Sequence, residues 1–327
     1  MTKTISRMAK GSVALVAAFM LAQNAFAQDY PSKRITFLVG YGAGGAIIDV
    51  PVRVLADKLE RRFGQPFTVE YRPGAQSQIA FEALHNAPPD GYTLGFATIG
   101  LLTLPLNVKN YTLDPIKDLT PVGLFVASSQ PIVLVASAKA PFKTMAELIS
   151  YAKANPGRLT VGAVGTSMEM EAAMLAHRGT YKSTTVPYKG TAQMDTDLAT
   201  GDLATALSAY ASEKANIDAG RAIMLAVGSS KRDPQFPNVP AISEAIPGHE
   251  ITSFWFGISA PPKTPAAIVN RLNEAMNAAM REPDVAPAVG KVGLKTLGGS
   301  PAEFSAFLTR EKARFTEAAG LIGLKPQ

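Results

Sequence analysis

The stretch at residues 37–53 constrains this chain more than any other. An apolar segment, Phe37-Leu-Val-Gly40, opens into a loop holding Gly40, Gly42, Gly44 and Gly45, and a helical pattern follows. Glycines let the backbone bend sharply and leave its N–H groups uncovered. Asp49 reads as an N-cap, with Pro51 in the first turn, where a missing N–H costs little. A strand, glycine loop and helix in this order aim backbone donors and a positive helix end outward, which makes a natural anion site.

Which anion is a separate matter. Gly40-x-Gly42-x-x-Gly45 matches the dinucleotide fingerprint, and Glu70, closing the strand at 67–70, stands where a ribose-binding acid belongs. The plain alternative is a glycine-rich turn with no ligand.

The N-terminus weighs against the nucleotide. Lys3, Arg7 and Lys10 precede an uncharged apolar run at 11–22, and Ala25-Phe26-Ala27 has the small-x-small form of a cleavage site. This pattern predicts a secretory signal over 1–27 and a mature chain starting near Gln28, with a run too short for a comfortable membrane span. Losing the segment takes the formal net charge from +6 to +3. No long Lys or Arg run remains, which argues against nucleic acid as a partner. The chain has no cysteine, so neither a disulfide framework nor a lipid-bearing cysteine is available. A soluble periplasmic protein is expected. A nicotinamide enzyme exported without a twin-arginine signal would leave its coenzyme behind, and the dinucleotide reading recedes.

Along the chain, strands at 34–39, 67–71 and 92–97 alternate with helices at 50–63 and 77–86, as in a parallel, doubly wound α/β half. In the first helix Val52, Leu55, Ala56, Leu59 and Phe63 share one face, leaving Arg53, Asp57, Lys58, Glu60 and Arg61 for solvent. From about Thr120 the pattern starts again. Strands are expected at 122–127, 132–136, 159–164, 184–188, 203–208, 222–228 and 252–259, and helices at 144–154, capped by Thr144, and at 168–177. Gly165-Thr166-Ser167-Met168 repeats the arrangement of strand, small-residue loop and helix start, and Gly190-Thr191 opens another helix. Two final helices, at 264–281 and 301–319, have no sheet of their own and should return to the first half. The division is therefore 28–125 and 251–327 in one domain, 126–250 in the other, with two crossings and a cleft between them.

Tyr30-Pro-Ser-Lys33, the Ala43-Gly-Gly45 loop with Asp49 and Arg53, Tyr71-Arg-Pro-Gly-Ala75, Ala87-Pro-Pro-Asp-Gly-Tyr-Thr-Leu94, Val186-Pro-Tyr-Lys-Gly190, Pro237-Asn-Val-Pro240 and Trp255-Phe-Gly257 resemble, in one register, the tripartite tricarboxylate transporter substrate-binding proteins, also called the Bug family. The resemblance implies a type II periplasmic binding protein fold and capture of a small anionic solute, usually a carboxylate, for a membrane permease. It also implies a ligand held by two loops through backbone N–H groups, here Tyr41 to Asp49 and Gly165 to Met168. Three departures stand out. Ala46, Ile47 and Ile48 separate the paired glycines from Asp49 where the family has two residues. Glu169 aligns where a histidine is frequent, and Leu203-Ala204 follow Asp202 where a further Asp is common. Apolar bulk in the first loop suggests a ligand with an apolar or aromatic body.

The candidate ligand-binding residues are Tyr41, Gly42, Ala43, Gly44, Gly45, Ala46, Ile47, Ile48, Asp49, Thr98, Gly165, Thr166, Ser167, Met168, Gly190 and Thr191. Ser167 could donate to a carboxylate and also cap its helix, Glu169 and Glu171 could complement a helix N-terminus, and Arg53 and Arg72 read as ion-pairing residues. Catalysis has little support. His85, His177 and His249 lie in no metal-binding spacing, and Gly165-Thr-Ser-Met-Glu169 lacks the second glycine of a nucleophile elbow. No cofactor or metal is expected, and a monomer is. An exported hydrolase or oxidoreductase is the alternative.

Overall fold

The computed structural model describes residues 30–326 except 45, 252 and 253. The expected signal and Gly45 lie outside the described residues. Eleven strands form two sheets among them. They are β1 (Ile35–Val39), β2 (Phe67–Tyr71), β3 (Thr93–Ala97), β4 (Thr120–Ser128), β5 (Ile132–Ser137), β6 (Leu159–Val164), β7 (Ser183–Tyr188), β8 (Thr205–Ala209), β9 (Ala222–Val227), β10 (Trp255–Ala260) and β11 (Leu294–Thr296). The helices are α1 (Ala46–Phe63), α2 (Gln78–His85), α3 (Gly100–Asn107), α4 (Met145–Ala154), α5 (Thr166–Arg178), α6 (Thr191–Thr200), α7 (Tyr210–Asp218), α8 (Ile242–Ala245), α9 (Ala266–Met280), α10 (Val285–Gly290) and α11 (Pro301–Leu321).

The first sheet runs β11-β4-β10-β3-β1-β2 and the second β7-β6-β8-β5-β9. Both have a parallel core of three strands with the earliest in the middle, and in each an antiparallel strand, β10 or β5, follows. Alternation along the strands covers both faces of each sheet. Ile35, Phe37 and Val39 enter one apolar cluster and Leu38 another. In the second sheet Ile132, Leu134 and Ala136 part from Val133 and Val135 in the same way.

Pairing fixes how the sheets face. Because β10 is antiparallel to both β3 and β4, the C-terminal ends of β1, β3 and β4 share one edge. The chain leaves that edge at Ser128 and enters β5 at Ile132, which pairs with Ala209 at the C-terminal end of β8. Tyr210 N–H donates to Pro131 C=O at 3.0 Å across this crossing. The return passes from β9 to β10, where Ile251 N–H donates to Gly228 C=O at 2.7 Å. The C-terminal edges of the two parallel cores therefore point toward one another.

The α1 stripe of Val52, Leu55, Ala56 and Leu59 is buried as its spacing requires, each leucine stabilising by ~1.5–3 kcal/mol. Lys58, expected at the surface, is instead buried, because Glu282 and Asp284 cover its ammonium at 2.9 and 2.6 Å. Thr144 caps α4 as expected, accepting from Glu147 N–H at 3.2 Å. Unexpected elements are α3, α7, α8, α10 and the edge strand β11, which joins the first sheet from the C-terminal part. No described helix is long and apolar enough to cross a membrane.

Candidate functional site

The first loop is shaped by side chains from three directions. Ser77, buried and at φ 78°, donates its hydroxyl to Gly40 C=O at 3.0 Å, so closely that a Cβ on Gly40 would lie 2.3 Å from the serine Cβ. Tyr41 and Thr98 hydroxyls lie 3.0 Å apart, and Thr98 also accepts from Gly100 N–H at 3.2 Å. Asp49 takes Gly44 N–H on one oxygen and the Tyr71 hydroxyl on the other, both at 2.8 Å.

These contacts correct several expectations. Asp49 is not an N-cap. The helix starts at Ala46, and Asp49 sits in its first turn and reaches back to tie the loop. Thr98 is buried, with its hydroxyl engaged by Tyr41 and Gly100, so it braces Tyr41 from inside. Ile48 turns into the core beside Val52 and Leu55, whereas Ile47 is 39% exposed. Gly42, Ala43, Gly44 and Ala46 are exposed, and Tyr41 is half-buried. Arg53 donates to the Tyr71 hydroxyl at 3.0 Å in place of an ion pair, while Arg72 pairs with Glu70 at 2.6 Å. That pairing also occupies the acid a nucleotide reading would need.

The second loop is built differently. Gly165 is the N-cap of α5 at φ 78° and ψ 157°, a conformation essentially reserved for glycine, and no side chain caps the helix. Gly165 C=O accepts from Met168 and Glu169 N–H at 3.0 and 3.2 Å, which starts the helix at Thr166. Ser167 therefore lies inside the first turn and does not cap it. Thr166, Ser167 and Met168 are half-buried and Gly165 is exposed. One strand over, Gly190 and Thr191 open α6, again with no side-chain cap. Since β6 and β7 are paired to their ends, Val164 beside Tyr188, both helix starts stand side by side on the edge that faces the first sheet. Two uncapped helix N-termini leave backbone donors for an anion.

Sequence reasoning missed Ser77 and Tyr71, which hold the first loop. It also missed the starts of α3 and α7 on the same facing edges. Glu171, expected to complement a helix end, instead binds Arg314 of α11. Burial pushes its carboxyl up to about 7 against the pull of Arg314, with Glu311 adding to the rise. Between α6 and α7, burial raises the carboxyls of both Asp195 and Glu213, the latter to about 7. Burial and the nearby guanidinium groups of Arg314 and Arg178 lower His249 to about 4. A cavity of about 340 Å³ lies at the crossings, lined by Ser129, Gln130, Ser230 and Trp255 among others and by none of the candidate residues. Among the described residues no group of His, Cys, Asp or Glu is arranged to hold a metal ion.

The family model described as the tripartite tricarboxylate transporter family receptor matches residues 51–323. The chain belongs to this family. A protein of the tcbD-tcbE intergenic region of Pseudomonas sp. (strain P51) is 34% identical over 88% of this chain and 85% of its own. BugT of Bordetella pertussis is 29% identical over 95% of each. Among solved structures, a solute-binding protein of this family from Polaromonas with no ligand matches at TM-score 0.79 and 26% identity, over 90% of this chain and 99% of that one. An R. palustris protein solved with adipate matches at TM-score 0.65 and 32% identity, over 91% and 100%. MatC from Rhodopseudomonas palustris with bound malate matches at 0.62 and 26%, over 89% and 100%. The chain is thus a solute-binding receptor with the two-domain α/β fold of periplasmic binding proteins, in a family of binding proteins and not of enzymes.

Proposed function

We propose that this receptor captures a small carboxylate with an apolar body between the first loop, Tyr41 to Asp49, and the helix starts at Gly165 to Met168 and Gly190-Thr191. The observation that carries the reading is that two helix N-termini without side-chain caps, at Gly165 and Gly190, stand side by side on the edge of the second sheet that faces the first loop. Backbone donors and two positive helix ends supply the charge complement, so no arginine clamp is required. Ile47, exposed in the first turn of α1, offers apolar contact to the ligand body. Adipate and malate in two related structures support the carboxylate class, and adipate has the apolar chain this reading favours. The match to a ligand-free relative exceeds the match to the adipate-bound one although identity runs the other way, which supports reading this arrangement as the open form.

In this reading the segments 28–125 with 251–327 and 126–250 close as two bodies over the solute, and a monomer, exported by a signal cleaved near Ala27, delivers it to the permease subunits in the membrane. Because a ligand stabilises the state it binds, by ~2.7 kcal/mol at a hundredfold excess over Kd, a melting screen followed by calorimetry tests the class. Adipate and aromatic monocarboxylates should raise the melting temperature and bind one to one without being altered. Tight binding of citrate or glutamate with none of adipate or aromatic acids would overturn the ligand class, and conversion of a bound solute would favour an enzyme.

A further inference from the structure

The helix that begins with the second donor loop is anchored at a seam with the C-terminal helix. Met170 and Met174 of α5 are fully buried in the apolar cluster that contains Trp255, Phe304, Leu308 and Phe315. Through that dry contact runs an ionic cluster. Arg314 of α11 holds Glu171 of α5 through one guanidinium nitrogen and Glu311 of its own helix, at 2.7 Å, through another. Both carboxylates are 2% exposed, and one oxygen of Glu171 and Nε of Arg314 have no partner. At the outer end of the seam Arg178 and His177 face Glu317, at 2.9 and 4.0 Å. His249, buried just before the second crossing, faces Arg314, Arg178 and Glu317.

Helix α11 packs on β4 and α3 of the first sheet's side as well as on α5, so it spans from one unit to the other. Glu171 lies on the same rigid rod as Gly165 to Met168, little more than a turn away. Any rotation of α5 at the seam therefore moves its N-terminus relative to the first loop. Two buried acids against one guanidinium form a directional contact, in which a small slip leaves a buried charge without its partner, an arrangement that proteins strongly disfavour.

We propose that Glu171, Arg314 and Glu311 are positioning residues that lock the α5–α11 seam and thereby set the angle at which the second donor loop meets the first, and so the affinity for solute. The proposal rests on the two-loop reading of the site. The charged groups acting on Glu171 are Arg314 and Glu311, and Arg314 in turn faces His249, which also feels Arg178 and Glu317, so exchange of a proton at this cluster changes the lock's charge balance.

The test reads geometry and binding separately. The chain has no cysteine, so Ile79→Cys and Lys189→Cys place two spin labels alone, one beyond β2 and one beyond β7, across the facing edges. Replacing the trio together, Glu171→Leu, Glu311→Leu and Arg314→Met, exchanges buried ions for apolar packing, a change that proteins often tolerate without loss of stability. Glu171→Gln is the conservative companion should the triple variant fail to fold. Pulsed electron resonance of the ligand-free protein should show a shifted or broadened label distance in either variant. Adipate should bind roughly tenfold more weakly to them, the size of a typical coupling between sites. Between pH 6 and 8 adipate affinity should vary in the parent and be flat in Glu171→Gln. Unchanged distance distributions in a folded variant would overturn the proposal. If the parent binds no adipate, the ligand class has failed and the label distances alone decide the lock.

Discussion

The two loops proposed to hold the solute are built by opposite means. The first is held within its own sheet: Asp49 beside the glycines, and Tyr71, Ser77 and Thr98 at or beyond the ends of the neighbouring strands β2 and β3, each supply a hydrogen bond to the loop. The second has no side-chain cap and takes its shape from one backbone conformation at Gly165. Further along its helix, Glu171 is bound by Arg314 of α11, the contact we propose sets its orientation. The first loop is thus braced locally and the second aimed remotely. Damage to the first should act on the loop alone, whereas damage to the second's anchor should be felt across both units.

The largest effect should follow Arg314→Met alone at pH 8, above the value to which Glu171 holds its proton, because the substitution takes the guanidinium from two buried acids. A loss of ~3–5 kcal/mol in denaturant unfolding is expected. A loss no greater than that of a surface substitution would show that the seam carries no weight.

Next comes pH. Glu171 and Glu213 hold their protons to about 7 in the fold but release them near the ordinary carboxyl value when unfolded. Their contribution is therefore full below about pH 4.5 and is lost as pH rises to about 7. His249, lowered to about 4, works the other way: the unfolded chain takes up its proton first, so stability is lost as pH falls from about 6.5 to 4. Melting curves should show Glu171→Gln gaining on the parent, by on the order of 3 kcal/mol, between pH 4.5 and 7.5.

The glycines distinguish the loops more finely. Gly40→Ala should cost ~1–3 kcal/mol through collision with Ser77, and Ser77→Gly should recover part of it, since the serine itself sits at φ 78°. Gly165→Ala meets nothing within 4 Å, so its cost of ~1–3 kcal/mol is backbone strain that no second-site change relieves. Smallest is Asp49→Ala, with about 1 kcal/mol lost in a half-exposed setting and a loop whose amide exchange quickens around Gly44 but not around Gly165.

Much of this was legible in the sequence because it is local. Short apolar runs between turn residues marked the strands, and the strand, small-residue loop and helix start at 37–53 recurred at 159–177. Asp49 was misread because an acid reaching back from the first turn and an acid at the N-cap look alike in a string that does not mark where the helix starts. Helix α3, Gly-Leu-Leu-Thr-Leu-Pro-Leu-Asn, has no polar face to reveal a period, and α7 has hardly any apolar stripe. The Glu171–Arg314 contact joins residues 143 positions apart, and nothing in either neighbourhood points to the other.

Amide NMR during an adipate titration shows whether both loops hold the solute. Backbone donors at Gly42 and Ala43 and at Thr166 and Ser167 should shift together along one saturation curve. Saturable binding that moves the amides of only one loop, or of neither, would contradict a clamp built from both.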